Sequence, residues 1–130
     1  MIDNPTLQAR IRSRLSEERK LAEAQISATA AHLEEILESS RFVSTDDEHD
    51  PDGSTVAFER SKASALLSHS WARLAEADSA LNRMELGTYG VCQSCGDPIA
   101  PERLLARPVA TRCVRCADAE SRSRRRRGKG

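Results

Sequence analysis

Ala63, Leu67, Ser70, Leu74, Ala77, Leu81 and Met84 follow one another at intervals of 4, 3, 4, 3, 4 and 3 residues. An unbroken repeat of this kind fits a helix packed along one narrow seam, and it fits no strand, whose apolar positions alternate by two. Leu67, Leu74 and Leu81 share one position of the repeat, and smaller residues mostly fill the other. Small residues opposite leucines let two helices come close. Gly87 provides a natural stop. An earlier stretch has the same character. Leu7, Ile11, Leu15, Ala22, Ile26, Leu33 and either Ile36 or Leu37 recur at helical spacing to about Ser40, with no glycine or proline among them. Asn4 can cap this helix, and Pro5 suits its first position.

A helix of roughly 35 residues, rising 1.5 Å per residue, makes a rod on the order of 50 Å long. The connector holds Pro51 and Gly53, which predicts an antiparallel hairpin over residues 1–88 rather than a continuous helix in a parallel homodimer. Its tip, at about residues 42–55, is acidic. The segment DDEHDPDGST, residues 46–55, carries five acids in ten positions, Asp47, Asp50 and Asp52 among them. A solvated turn accounts for such a composition as readily as a functional probe does. A calcium loop is disfavoured, because the spaced downstream glutamate of an EF-hand is missing. Phe42 and Val43 bracket the turn, and His49 reads as a solvated loop residue.

The chain is 38% hydrophobic but only 3% aromatic. It can therefore build narrow helix seams and a small satellite cluster more easily than a thick globular core. No apolar run is long enough to span a bilayer, and the start, MIDNPTLQAR, lacks the order of a signal peptide. The expectation is a soluble, cytoplasmic protein with no membrane partner. Its zero net charge hides an asymmetry. Residues 1–91 hold 16 acids and 10 Lys/Arg, and residues 92–130 hold 4 acids and 10 Lys/Arg. An acidic body with a basic end suggests two differently charged contact surfaces.

The segment CQSCGDPIAPERLLARPVATRCVRC contains Cys92 and Cys95 in one CxxC and Cys113 and Cys116 in another, 17 residues apart. This spacing is that of a four-cysteine zinc site: each CxxC presents two thiolates, and the loop between brings the pairs together as a tetrahedron. Gly96 fits the tight bend after the first pair. Four thiolates fill the coordination sphere and leave no position for water, so one structural Zn2+ is expected rather than a catalytic ion. Redox disulfides are the competing reading of CxxC, but no βαβ context accompanies these. No Ser-His-Asp triad, phosphate-cradling glycine loop or buried acid pair is legible, and a hairpin offers no deep pocket, so no enzyme is expected.

The stretch GTYGVCQSCGDPIAPERLLARPVATRCVRC, Gly87 to Cys116, closely resembles the zinc-finger signature of the DksA/TraR family of bacterial transcription factors. The shared features are Gly87, Tyr89 and Gly90, both CxxC pairs, Ile99, Arg103-Leu104 and Ala106-Arg107-Pro108. The upstream hairpin matches the family's architecture. The resemblance implies a protein that binds RNA polymerase and pushes its coiled-coil tip through the secondary channel towards the catalytic magnesium. It thus supplies a role for the acids at the bend, with Asp52 first and then Asp50 and Asp47. Better-known members carry Asp-x-x-Asp-x-Ala at the tip. Without gaps those positions fall at His49, Asp52 and Ser54; a shifted frame, Asp47, Asp50 and Asp52, recovers both acids but not the alanine. Arg107 matches an arginine that helps hold ppGpp in some members, while two assisting lysines fall at Glu76 and Ala117. A glutamate repels a polyphosphate, so weak or no ppGpp synergy is expected.

The zinc-finger lobe is assigned to residues 89–120. Residues 121–130, SRSRRRRGKG, have six basic residues in ten. They are expected to be a disordered tail, with non-specific nucleic acid or an acidic polymerase surface as the alternative contact. The rival to polymerase binding for the whole chain is a zinc ribbon that binds nucleic acid or ribosomes through this basic end. Stress sensing through the four thiolates is compatible with either. Trp71 and Phe58 lie off the heptad seam and are expected to pack at a hairpin flank or against the zinc lobe.

Overall fold

The computed structural model of the chain describes residues 3–41 and 51–128, with side chains at 3–39 and 55–128. Four helices follow one another: α1 (Pro5–Arg41), α2 (Pro51–Leu86), α3 (Pro101–Ala106) and α4 (Val114–Gly128). No strand occurs among the described residues, only an isolated bridge between Val91 and Pro98. The fold is mostly α, with two long helices and a small cysteine-bearing lobe.

Local sequence explains where α1 begins and α2 ends. Asn4 Oδ1 accepts hydrogen bonds from the amides of Thr6 (3.0 Å) and Leu7 (3.3 Å), which satisfies two donors that the first turn leaves unpaired. Gly87 adopts φ 76°, a left-handed conformation that glycine enters without a Cβ penalty. Its amide and that of Thr88 reach back to the carbonyls of Met84 (3.3 Å) and Arg83 (2.9 Å), the paired bonds of a Schellman stop. At the other end of α2, Pro51 is the first helical residue, so Asp52 and Gly53 belong to the opening helical turn rather than to a loop reaching residue 55. Proline's fixed φ and missing donor suit that position. Asp47 and Asp50 lie outside the described residues.

The chain forms two compact units: residues 1–17 with 76–130, and residues 18–75. The division falls within the long helices instead of near residue 88. The reason is that Ile11, Leu15, Ala80 and Met84 share one core cluster with Tyr89, Cys92, Ile99 and Leu104. Ile11, Leu15 and Leu104 are essentially inaccessible to solvent, and full burial stabilises such a side chain by about 1.5–3 kcal/mol.

In the unit of residues 18–75, α1 and α2 run antiparallel, and the buried positions are small: Ala22, Thr29, Ala63 and Ser70. Ile26, Leu33, Ile36, Leu67 and Leu74 flank them half-buried. The seam expected of α2 is thus the seam observed. On α1 the structure selects Ile36 over Leu37, which is 40% exposed. Thr29 escapes an apolar-only pattern; its hydroxyl is paired by Gln25 Nε2 at 3.0 Å. Phe58 and Trp71 do not pack as expected: they are 66% and 55% exposed, because the narrow seam has no lateral surface to cover them.

The basic C-terminal segment also differs from expectation. Residues 121–128 continue α4 and are not a disordered tail. Arginine is a good helix former, and the charges are placed to help. Glu120 pairs with both Arg112 and Arg124, and arginines crowd the last turn, where the helix dipole favours cations.

Candidate metal centre

The two CxxC pairs are built by different local structures. At the first, the Cys92 amide donates to Asp97 O (2.8 Å) and the Gly96 amide to Cys92 O (2.9 Å), closing a tight turn around Cys95. Gly96 holds φ 79° there, while a Cβ at this position meets nothing within 4 Å; the demand for glycine is therefore conformational. At the second, Cys113 immediately precedes α4 and Cys116 lies in its first turn. The Ala117 amide donates to Cys113 O at 2.9 Å. Helical geometry brings both sulfurs to one end.

Hydrogen bonds across the 96–112 loop bring the pairs together. The Gln93 amide donates to Thr111 O (2.8 Å), Arg103 Nε to Arg112 O (2.8 Å), and the buried Tyr89 hydroxyl to Pro108 O (2.7 Å). Arg14 Nη1, from α1, donates to Leu105 O. Sequence reasoning noted Tyr89 and Arg103 but not these bonds. Their signal was present only as polar residues with apolar bodies beside the cysteines, and no spacing rule says which carbonyl each will reach.

The result is a compact set of sulfurs. The Sγ atoms of Cys92, Cys95, Cys113 and Cys116 all lie within 4.8 Å of one another, and Cys95 and Cys113 are 3.9 Å apart. Four sulfurs at about 2.3 Å from a tetrahedral zinc ion stand about 3.8 Å apart, so this donor set fits the metal in number, softness and spacing. Among the described residues it is the one group of three or more His, Cys, Asp or Glu that could hold a metal ion.

The thiols also perturb one another's ionisation. Backbone hydrogen bonds, led by that of Cys113, lower Cys92 to about 6. Cys113 is lowered too, first by the backbone of Cys116. Cys116 is pushed up to about 12, chiefly by its hydrogen bonds with the Cys113 and Cys92 thiols. At Cys95 the Asp97 backbone favours the thiolate, but bonding to Cys92 and desolvation outweigh it. The thiolate is thus favoured at Cys92 and Cys113 and disfavoured at Cys95 and Cys116. A dication removes that conflict and releases the remaining protons.

The other site residues fare differently. Arg107, just after α3, is exposed and lines a polar cavity of about 310 Å³ with Glu76, Ala117, Arg103, Arg112 and Glu120. The structure therefore brings together Glu76, Arg107 and Ala117, far apart in sequence, around one cavity. Asp52 is placed only as part of the first turn of α2, and Asp47 and Asp50 lie outside the described residues.

Known proteins share both the lobe and the fold. Residues 87–122 match the prokaryotic dksA/traR C4-type zinc finger. The RNA polymerase-binding transcription factor DksA of Caulobacter vibrioides is 42% identical over 52 residues, covering 40% of this chain and 37% of that protein. General stress protein 16O of Bacillus subtilis is 37% identical over 93 residues, 71% of this chain and 55% of that one. The chain spans between about a quarter and about half the length of the curated relatives it matches. The structure of transcription factor DksA2 from Pseudomonas aeruginosa superposes with a TM-score of 0.77 and 28% identity, covering 94% of this chain and 88% of that chain. Residues 87–122 thus carry the zinc finger of the DksA/TraR family, and the chain as a whole has the fold of a DksA2 transcription factor.

Proposed function

We propose that this chain regulates transcription by binding RNA polymerase and presenting the acidic segment between α1 and α2 to the enzyme's active site through the secondary channel. The observation that carries this reading is the match to a DksA2 transcription factor over 94% of the chain, together with a relative whose name states polymerase binding. The charge of the segment supports it: five acids fall within residues 46–55. Carboxylates in a confined, poorly solvated space act strongly on a nearby metal ion or basic group. Asp52, Asp50 and Asp47 are the residues through which this leverage acts.

The four cysteines hold one zinc ion in a structural role, bracing the lobe without taking part in any reaction. No helix among the described residues is long and apolar enough to cross a membrane, which suits an encounter with polymerase in the cytoplasm. The cavity at Arg107 is also lined by Arg103, Arg112 and Arg124, the last two paired with Glu120, and Glu76 stands in it where the resemblance puts an assisting lysine. We therefore expect ppGpp to add little to the regulator's effect.

Transcription in vitro on a promoter sensitive to the protein tests the reading. D47N/D50N/D52N removes three charges from the acidic segment of residues 46–55, and the variant should still bind polymerase while losing most of its effect on initiation. Full effect from the variant overturns the role of the acids. Absence of polymerase binding by the unaltered protein overturns the proposal itself.

A further inference from the structure

The lobe ends in a helix with two chemically distinct faces. Cys116, Ala117, Glu120 and Ser123 are half-buried and form the inner face of α4. Along the outer face, Arg115, Arg122, Arg125 and Arg126 are all exposed. At 3.6 residues per turn these four fall within an arc of about 100° and extend over about 16 Å of helix. Asp118 shares that arc and opposes them with a single negative charge. Arg115 is near Asp97, at 3.5 Å, with both side chains largely in water. Arg124 is turned towards Glu120 and Arg127 towards Ser123, so they border the face instead of forming it.

We infer that the outer face of α4 is a binding surface for the phosphodiester backbone of a nucleic-acid duplex. Guanidinium groups engage phosphate oxygens in pairs, and a helix fixes their spacing before any partner arrives. The composition of the face separates this partner from others. From Asp118 to Arg127 it has no aromatic side chain and no apolar one larger than alanine. Protein hot spots form where aromatic or arginine side chains are desolvated among packed apolar neighbours, and this stretch offers its arginines no such neighbours. A single-strand site needs aromatic platforms for the bases. Asn and Gln, which read adenine in the major groove, are also missing from this stretch. What remains suits the phosphates of a duplex, about one charge per 1.7 Å of axis, and makes contact independent of base sequence. This surface does not depend on the polymerase reading, because it involves neither the acidic connector nor any protein partner.

Fluorescence anisotropy of a labelled 20-base-pair DNA duplex, titrated with the full zinc-loaded chain at several salt concentrations, tests the inference. R122Q/R125Q/R126Q keeps helix-compatible side chains while removing three charges. Affinity at low salt should fall at least tenfold, and the slope of log affinity against log salt should become shallower by about 2–3. D118N should act in the opposite sense and tighten binding, which separates an effect on the face from a folding defect. Affinity and slope unchanged in the triple variant overturn the assignment. Competition by polyglutamate as effective as competition by unlabelled duplex also overturns it, since the surface would then take any acidic polymer.

Discussion

The two compact units of this chain use the same pair of helices in different ways. Residues 18–75 form a thin antiparallel seam whose fully buried positions are alanine, serine and threonine. In residues 1–17 with 76–130, the ends of those helices bury isoleucine, leucine and methionine among tyrosine, a third helix and a thiol cluster. Small residues let backbones approach but remove little apolar area from water; large ones remove much more. The lobe unit therefore concentrates stability, whereas the helix-pair unit should open locally at lower cost.

Metal removal should break the comparison most severely. Stripping zinc with a chelator, or replacing Cys92 and Cys113 with serine, should abolish the packed state of the lobe and erase the near-ultraviolet signal of Tyr89, while much far-ultraviolet helical signal persists. Structural zinc in small domains contributes about 10–16 kcal/mol of apparent binding free energy. Acid acts in the same direction, because protons compete with the metal for thiolates. A lobe that keeps its tertiary signal without metal would show that its apolar core suffices.

Next in size is a contrast between two leucines. Leu104→Ala, at a site with 0% exposure, should cost about 2–5 kcal/mol in denaturant unfolding. Leu67→Ala, at a half-buried seam position, should cost clearly less. Equal losses would remove the distinction between the units. Tyr89→Phe leaves the Pro108 carbonyl without its donor in a buried setting, and thermal unfolding should register about 1–3 kcal/mol. The smallest effect is expected at the start of α1. Asn4→Ala removes a cap made of two hydrogen bonds and should lower stability by about 1 kcal/mol.

Those residues also show what the sequence made legible. The cap at Asn4, the stop at Gly87, the seam of α2 and the thiol cluster follow from local rules, because each depends on residues close in sequence or on a fixed spacing. Tyr89 bonding to Pro108 and Arg103 to Arg112 depend on how a 17-residue loop closes, which no periodicity records. The exposure of Phe58 and Trp71 had a different origin: an aromatic residue signals burial only where a surface exists to cover it. At residues 121–128, composition pointed to a loose tail. The ion pairs at Glu120 and the helix-forming tendency of arginine carried α4 through them.

The claim on which the functional account turns is that the acidic connector enters polymerase. Site-directed crosslinking tests it most directly, with a photoreactive residue in place of Asp52 and purified RNA polymerase as the target. The account predicts crosslinks to elements beside the catalytic centre, lost when the secondary channel is blocked. Binding to polymerase with crosslinks confined to its outer surface would contradict it.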